Sequence, residues 1–377
     1  MDNNFEDIRS YRDHEVAGVL NELIDEPQFL KAVRYVFPEL SNDQIKGMFS
    51  GISSQKEFQG QIIYKTLERI ISQTTKGIDS EGVDKLDKDQ AFLFITNHRD
   101  IVLDSAFLNF ILFDSGRDTT EIAIGDNLLI FPWITEVVKL NKSFVVKRSM
   151  PKEKIVEETI RLSNYIRHTI ENNTSVWIAQ REGRTKDGDD KTNPALLKMI
   201  SLSGNNNVPE DFANLNVVPI AISYEYEPCD GYKVKELTTP GYKKTVQDDL
   251  ESMFAGIFRP KGRVKFSFGQ PLGDQLQQLN SATKKNEQLK LLAGIIDKNI
   301  YSLYHLWPTN YIAYDMLHKS GEFSHEYDEE AKKKFEEYMQ YKFNLLSIEG
   351  DADERKKAFL NIYANPVINK LKLTNEQ

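Results

Sequence analysis

The chain has 377 residues, 40% of them hydrophobic and 28% charged, which is ordinary globular composition, long enough for one large domain with helical additions or for two, and excludes wholesale disorder. A formal net charge of −9 argues against a general nucleic-acid binder, which carries a basic excess to neutralise phosphates. Cys229 is the single cysteine, so no intramolecular disulfide and no multi-cysteine zinc site is expected, and a reducing compartment is the natural reading.

The opening MDNNFEDIRSYRDHE has neither a basic n-region nor an apolar h-region, so no signal peptide is expected. Residues 5 to 75 show helical spacing in VAGVLNELI and FQGQIIYKTLERIISQ, with Ser41 and Gln44 spaced as a capping box. The polar stretch TTKGIDSEGVDKLDKD separates this segment from AFLFITNH, which reads as a short buried strand. Strand-like and helix-like segments then alternate: the strand TEIAIG, the helix LLIFPWITEVVKL, the strand SFVVKR, a helix from Pro151 to about Asn172, the strand SVWIAQ, a helix around PALLKMISLS, and the strands NVVPIAISYEY and GRVKFSFG. Beyond about residue 280 only helical periods remain. The expected architecture is α/β: a mixed, largely parallel sheet covered by helices over residues 85–275, with helical N-terminal (1–84) and C-terminal (276–377) segments. No run reaches the roughly 18 consecutive apolar residues of a spanning helix; AFLNFILF and LLIFPWITEVV are broken by Asn109, Pro132 and Glu136. Any membrane contact is therefore expected from one side.

The stretch Thr96 to Asp104, TNHRDIVLD, places His98 at the end of a strand, two residues before Asp100 and six before Asp104. Histidine is suited to removing a proton near neutral pH, and a neighbouring carboxylate holds its tautomer. Two cationic clusters end neighbouring strands: Lys147 and Arg148 in VVKRSMPK, and Arg181, Glu182, Gly183 and Arg184 in IAQREGRTKDG. Guanidinium groups bind phosphate in bidentate fashion, and glycine lets backbone approach an anion. The plain alternatives are a structural His98–Asp100 pair and a solvated basic loop.

Four blocks, NHRDIVLD, GDNLLIFPWITEVVKLNKSFVVKRS, REGRTKDG and VVPIAISYEYE, resemble in order and separation those of the glycerolipid acyltransferase superfamily, the glycerol-3-phosphate and 1-acylglycerol-3-phosphate acyltransferases. The resemblance implies an O-acyltransferase moving a fatty acyl group from a thioester, carried by acyl carrier protein or CoA, to a glycerolipid hydroxyl. It assigns His98 the role of base, Arg148 a phosphate grip, Glu182 and Gly183 acceptor binding, and Pro219 a place near the acyl path. It implies no metal or organic cofactor, no nucleic-acid partner, and a cytoplasmic protein peripherally attached to the inner face of a membrane.

Two departures from the family pattern are visible. Five residues separate His98 from Asp104 where the family has four; we expect Asp104 to be the partner and Asp100 to cap the helix, leaving His98 in extended backbone. Arg184 follows Gly183 directly where the family places one residue between, so Arg181 or Lys186 could take its role. Phe131, Trp133 and Ile134 with Lys139, Lys142, Lys147 and Arg148 suit either a surface meeting anionic headgroups or an acidic carrier, or an ordinary core-facing helix. Rival readings are transfer to another acceptor, such as a lyso-aminolipid, and a lipid-binding relative without turnover, which the His98–Asp104 spacing favours.

Overall fold

The computed structural model describes residues 5–148, 150–348 and 350–375. Seven strands, β1 (Thr75–Glu81), β2 (Leu93–Thr96), β3 (Glu121–Gly125), β4 (Ser143–Val146), β5 (Val176–Ala179), β6 (Val217–Tyr224) and β7 (Gly262–Phe268), form one sheet in the order β1-β7-β6-β2-β5-β3-β4. The pairs from β6 through β4 are parallel, β7 runs antiparallel to β6, and β1 runs parallel to β7. The mixed, largely parallel α/β sheet expected from the alternation is thus observed.

Both faces of the central strands are buried, and the period of two sorts their side chains. Leu93, Ile95, Val176, Ile178 and Val217 join one core with the Ile155–Glu171 and Lys285–Leu303 helices. Phe92, Phe94, Trp177, Val218, Ile220 and Ile222 join the other, beneath the Leu103–Asp114 helix. That helix is apolar nearly all round because it is covered on both sides: Phe107 and Ile111 face the sheet core, while Phe110 stacks on Tyr64 of the N-terminal segment with 4.6 Å between ring centroids.

The sheet starts earlier than the polar composition of residues 74–89 suggests. TKGIDSE forms β1 at the sheet edge, paired only with β7, so its outward side chains stay polar and no apolar run marks it. The opposite edge is covered by the opening segment, where the Val145 amide of β4 donates to the Ile8 carbonyl at 2.8 Å. Between β6 and β7 lie two helices that apolar periodicity did not reveal, Asp230–Thr238 and Val246–Phe258. The closing segment likewise holds a helix at Pro308–His318, ahead of Glu329–Leu345 and Ala352–Asn375. Among the described residues no helix is long and apolar enough to cross a membrane.

Candidate active site

Strand β2 is the middle strand of the sheet, and its chain leaves the carboxyl edge through Asn97, His98 and Arg99, which belong to neither strand nor helix. Asp100 then accepts hydrogen bonds from the amides of Val102 (2.8 Å) and Leu103 (2.7 Å), so it caps the incoming helix, which becomes regular at Leu103. The bent entry at Ile101 and Val102 absorbs the extra residue. Asp104 consequently returns beneath the turn, and its Oδ2 meets His98 Nδ1 at 2.9 Å.

Asp104 is fully buried. Its Oδ2 also accepts from the amides of Arg99 (2.6 Å) and Asp100 (3.0 Å), and its Oδ1 accepts from the Tyr224 hydroxyl at 2.9 Å. A carboxylate so surrounded by donors accepts from the imidazole as well, so Nδ1 carries the proton and Nε2 is free to take one. The imidazole lies edge-on to Trp177, 5.9 Å between ring centroids, and its side chain retains 13% exposure. The amides at the helix start are mostly engaged: those of residues 99 and 100 bind Asp104 and those of 102 and 103 bind Asp100. Asp100 is buried and its carboxyl is held above the usual range by burial and then by the Asp104 charge.

The cationic residues take three different positions. Arg148 lies 39% exposed after β4, 3.2 Å from Glu182, and its amide donates to Asp126. Gly125 makes this placement possible, because a β-carbon there would stand 2.8 Å from Arg148 Nε and 2.5 Å from Asn127 Oδ1. Lys147 is drawn away from the site by Asp7 and by Glu158 at 3.6 Å. Arg181 is half-buried and makes no hydrogen bond or ion pair with any described residue.

Gly183, exposed and at φ +69°, turns the loop so that Arg184 points into the protein. Arg184 is 4% exposed, and neither Nη1 nor Nη2 has a hydrogen-bond partner. Burial works against its charge, but Cys229 and Asp100 outweigh it and hold the guanidinium protonated. The loop is tied to the histidine itself: the Thr185 amide donates to the His98 carbonyl at 3.0 Å. Lys186 pairs with Glu236, and burial brings its ammonium down to about 8. Pro219 is buried within β6 opposite Ile95, its carbonyl accepting from Gly269 at 2.9 Å; it sits three residues below the level of His98, about 10 Å along the strands.

Residues without a sequence signal complete the centre. Arg99 is 1% exposed between Asp190 (2.5 Å) and Glu227 (3.3 Å), over the Tyr304 ring. Gly256 packs its α-carbon against the Asp100 carboxylate. Tyr224, at the end of the strand beside β2, had a readable cue, a phenol closing an apolar run, but nothing to say what it touches. Burial pushes the Cys229 thiol up to about 11, which suits packing and not attack. Among the described residues no group of three or more His, Cys, Asp or Glu side chains is placed to hold a metal ion.

Of the residues offered as a membrane-facing surface, Phe131 is exposed, but Trp133 packs on Phe29 and Lys139 lies over the Tyr11 ring. The helix Pro132–Leu140 therefore faces the N-terminal segment.

Residues 77–223 match the acyltransferase family. This segment holds the first three sequence blocks, most of the fourth and the His98–Asp104 pair. Among solved structures, the 1-acyl-sn-glycerophosphate (LPA) acyltransferase PlsC from Thermotoga maritima is similar, with 14% identity and a TM-score of 0.39 over 75% of this chain and 94% of that one. No curated protein matches the chain.

Proposed function

We propose that this acyltransferase moves a fatty acyl group from a thioester of acyl carrier protein or CoA to the hydroxyl of glycerol-3-phosphate or 1-acylglycerol-3-phosphate, in phospholipid synthesis. The observation that carries this reading is His98 held by Asp104 at 2.9 Å at the carboxyl edge of the sheet, the edge at which Arg148 and Arg181 follow the parallel strands β4 and β5. His98 Nε2 takes the proton of the acceptor hydroxyl as its oxygen attacks the thioester carbonyl. The carbon–sulfur bond then breaks, and the thiolate leaves with the proton from the imidazolium, giving ester and free thiol. General-base assistance of this kind is worth about 10²–10⁴ in rate. Arg148 and Arg181, with Glu182 and Gly183 shaping the loop, supply the positive charge for an anionic acceptor. No metal or organic cofactor enters these steps.

The inward turn of Arg184 favours a second reading, a lyso-lipid acceptor lacking a phosphate monoester, because one expected cation does not stand with Arg148. The reading without turnover loses its support, since Asp104 reaches His98 despite the spacing. We place the protein in the cytoplasm at the inner membrane face. Exposed Phe131, Ile155, Val156 and Ile160 with Lys152 and Lys154, on loops and a helix start at the carboxyl edge of the sheet, support that contact.

The test is transfer from labelled acyl-carrier-protein and acyl-CoA thioesters to glycerol-3-phosphate, 1-acylglycerol-3-phosphate and a lyso-aminolipid. Transfer to a phosphate acceptor, lost by at least ~100-fold in His98→Ala, is the expected result. Transfer only to the lyso-aminolipid establishes the second reading, and no transfer to any acceptor overturns both.

A further inference from the structure

We propose that Tyr224 is a positioning residue for the transfer reaction, acting through Asp104 to aim the His98 imidazole. The proposal rests on the acyl-transfer reading above for its kinetic consequence, while its structural basis stands apart from the acceptor's identity.

The four donors on Asp104 are unevenly shared. Oδ2 receives the imidazole and two amides of the strand-to-helix turn, whereas Oδ1 has Tyr224 alone among the described residues. The two amides come from the same turn that carries His98, so they move with it. Tyr224 instead belongs to β6, hydrogen-bonded to β2 on one side and to β7 on the other, where Tyr224 pairs with Val264. Among the described residues it is the one donor to Asp104 that belongs to a strand.

Tyr224 is 2% exposed, with its ring in the apolar core beneath the Leu103–Asp114 helix. Burial, followed by the charges of Asp104 and Asp100, holds the phenol well above its ordinary value, so it remains a donor. Without its hydroxyl, Oδ1 of a fully buried carboxylate has no partner, and rotation about the side chain becomes the means of finding one. Any such rotation displaces Oδ2 from His98 Nδ1, and a misplacement of this kind impairs the base without touching the acceptor.

Tyr224→Phe keeps the ring and removes only the hydroxyl. In the transfer assay the expected result is a fall in kcat of about tenfold with an unchanged KM for both substrates, the size of one hydrogen bond to a charged group. In an Asp104→Asn background the same substitution is expected to add no further loss, because its effect passes through Asp104. A second measurement needs no turnover. The downfield proton resonance of His98 Nδ1–H, assigned by its disappearance in His98→Ala, is expected to shift in Tyr224→Phe while the unfolding temperature stays within a few degrees.

A kcat equal to that of the unsubstituted protein overturns the proposal, as does a loss in the Asp104→Asn background as large as in the parent, or a resonance that does not move. If the unsubstituted protein transfers no acyl group, the functional reading fails. The resonance then still decides whether Tyr224 positions the pair.

Discussion

At the scale of single residues, Gly125 shows how tightly the cationic side of the site is assembled. Its missing side chain is the space in which Arg148 lies, with Nε 2.8 Å from where a β-carbon would be and Cζ 2.9 Å. Gly125→Ala is expected to push the guanidinium off Glu182 and raise the KM for a phosphate acceptor about tenfold, with kcat held near its original value; steady-state kinetics against acceptor concentration checks it. The histidine was legible from sequence because an imidazole at a strand end with two aspartates close behind it is an unusual placement. The partner was harder, since the five-residue separation counts against a pair within one regular helix. What settles the geometry is the Asp100 cap, which starts the helix late and leaves His98 outside it. The fate of the arginines could not be read, because the conformation of one exposed glycine, Gly183, decides that Arg184 turns inward while Arg181 does not.

At the scale of elements, legibility follows burial. β2, β5 and β6 announce themselves as apolar runs because both of their faces are covered, whereas β1 is polar and invisible because it lies at an edge. The helix Lys285–Leu303 was read from its period, but its polar member Asp297 was not singled out. Asp297 accepts from the Thr192 amide at 2.7 Å, and burial lifts its carboxyl from 3.8 to about 6. A folded-state value above the unfolded one means a contribution to stability that is complete below about pH 4 and lost as the pH rises through 6. Asp297→Asn keeps the acceptor oxygen and removes the ionisation, so it is expected to stabilise the fold by about 1–2 kcal/mol at pH 8 and by almost nothing at pH 4. Denaturant unfolding at the two pH values measures the difference.

At the scale of the whole molecule, the closing helices brace the candidate site. Tyr363 donates to Asp230 at 2.8 Å and accepts from the Glu227 amide at 3.0 Å, and Glu227 in turn holds Arg99, the residue after the base. Asn365 donates to the Asp187 carbonyl at 2.8 Å, and Gly188 packs directly against the Ile362 carbonyl, so the loop carrying Arg181 and Arg184 rests on the Ala352–Asn375 helix. A chain ending at residue 351 would expose the pocket of Phe359, Leu360, Ile362, Tyr363 and Val367, all buried. At about 1.5–3 kcal/mol each, their loss is comparable to the ~5–15 kcal/mol that holds a domain together. Such a truncation is expected to lose its cooperative thermal transition and become sensitive to protease, with no acyl transfer remaining.

The opening residues bear on how this molecule meets others of its kind. Because Ile8 zips onto the outermost strand, and Ser10 and Asp7 fasten the same stretch through Glu121, Lys147 and Arg161, that rim of the sheet offers no row of open amides to a passing copy. Edge-to-edge pairing with a second copy is thus hindered at that rim by a few residues that belong to no strand.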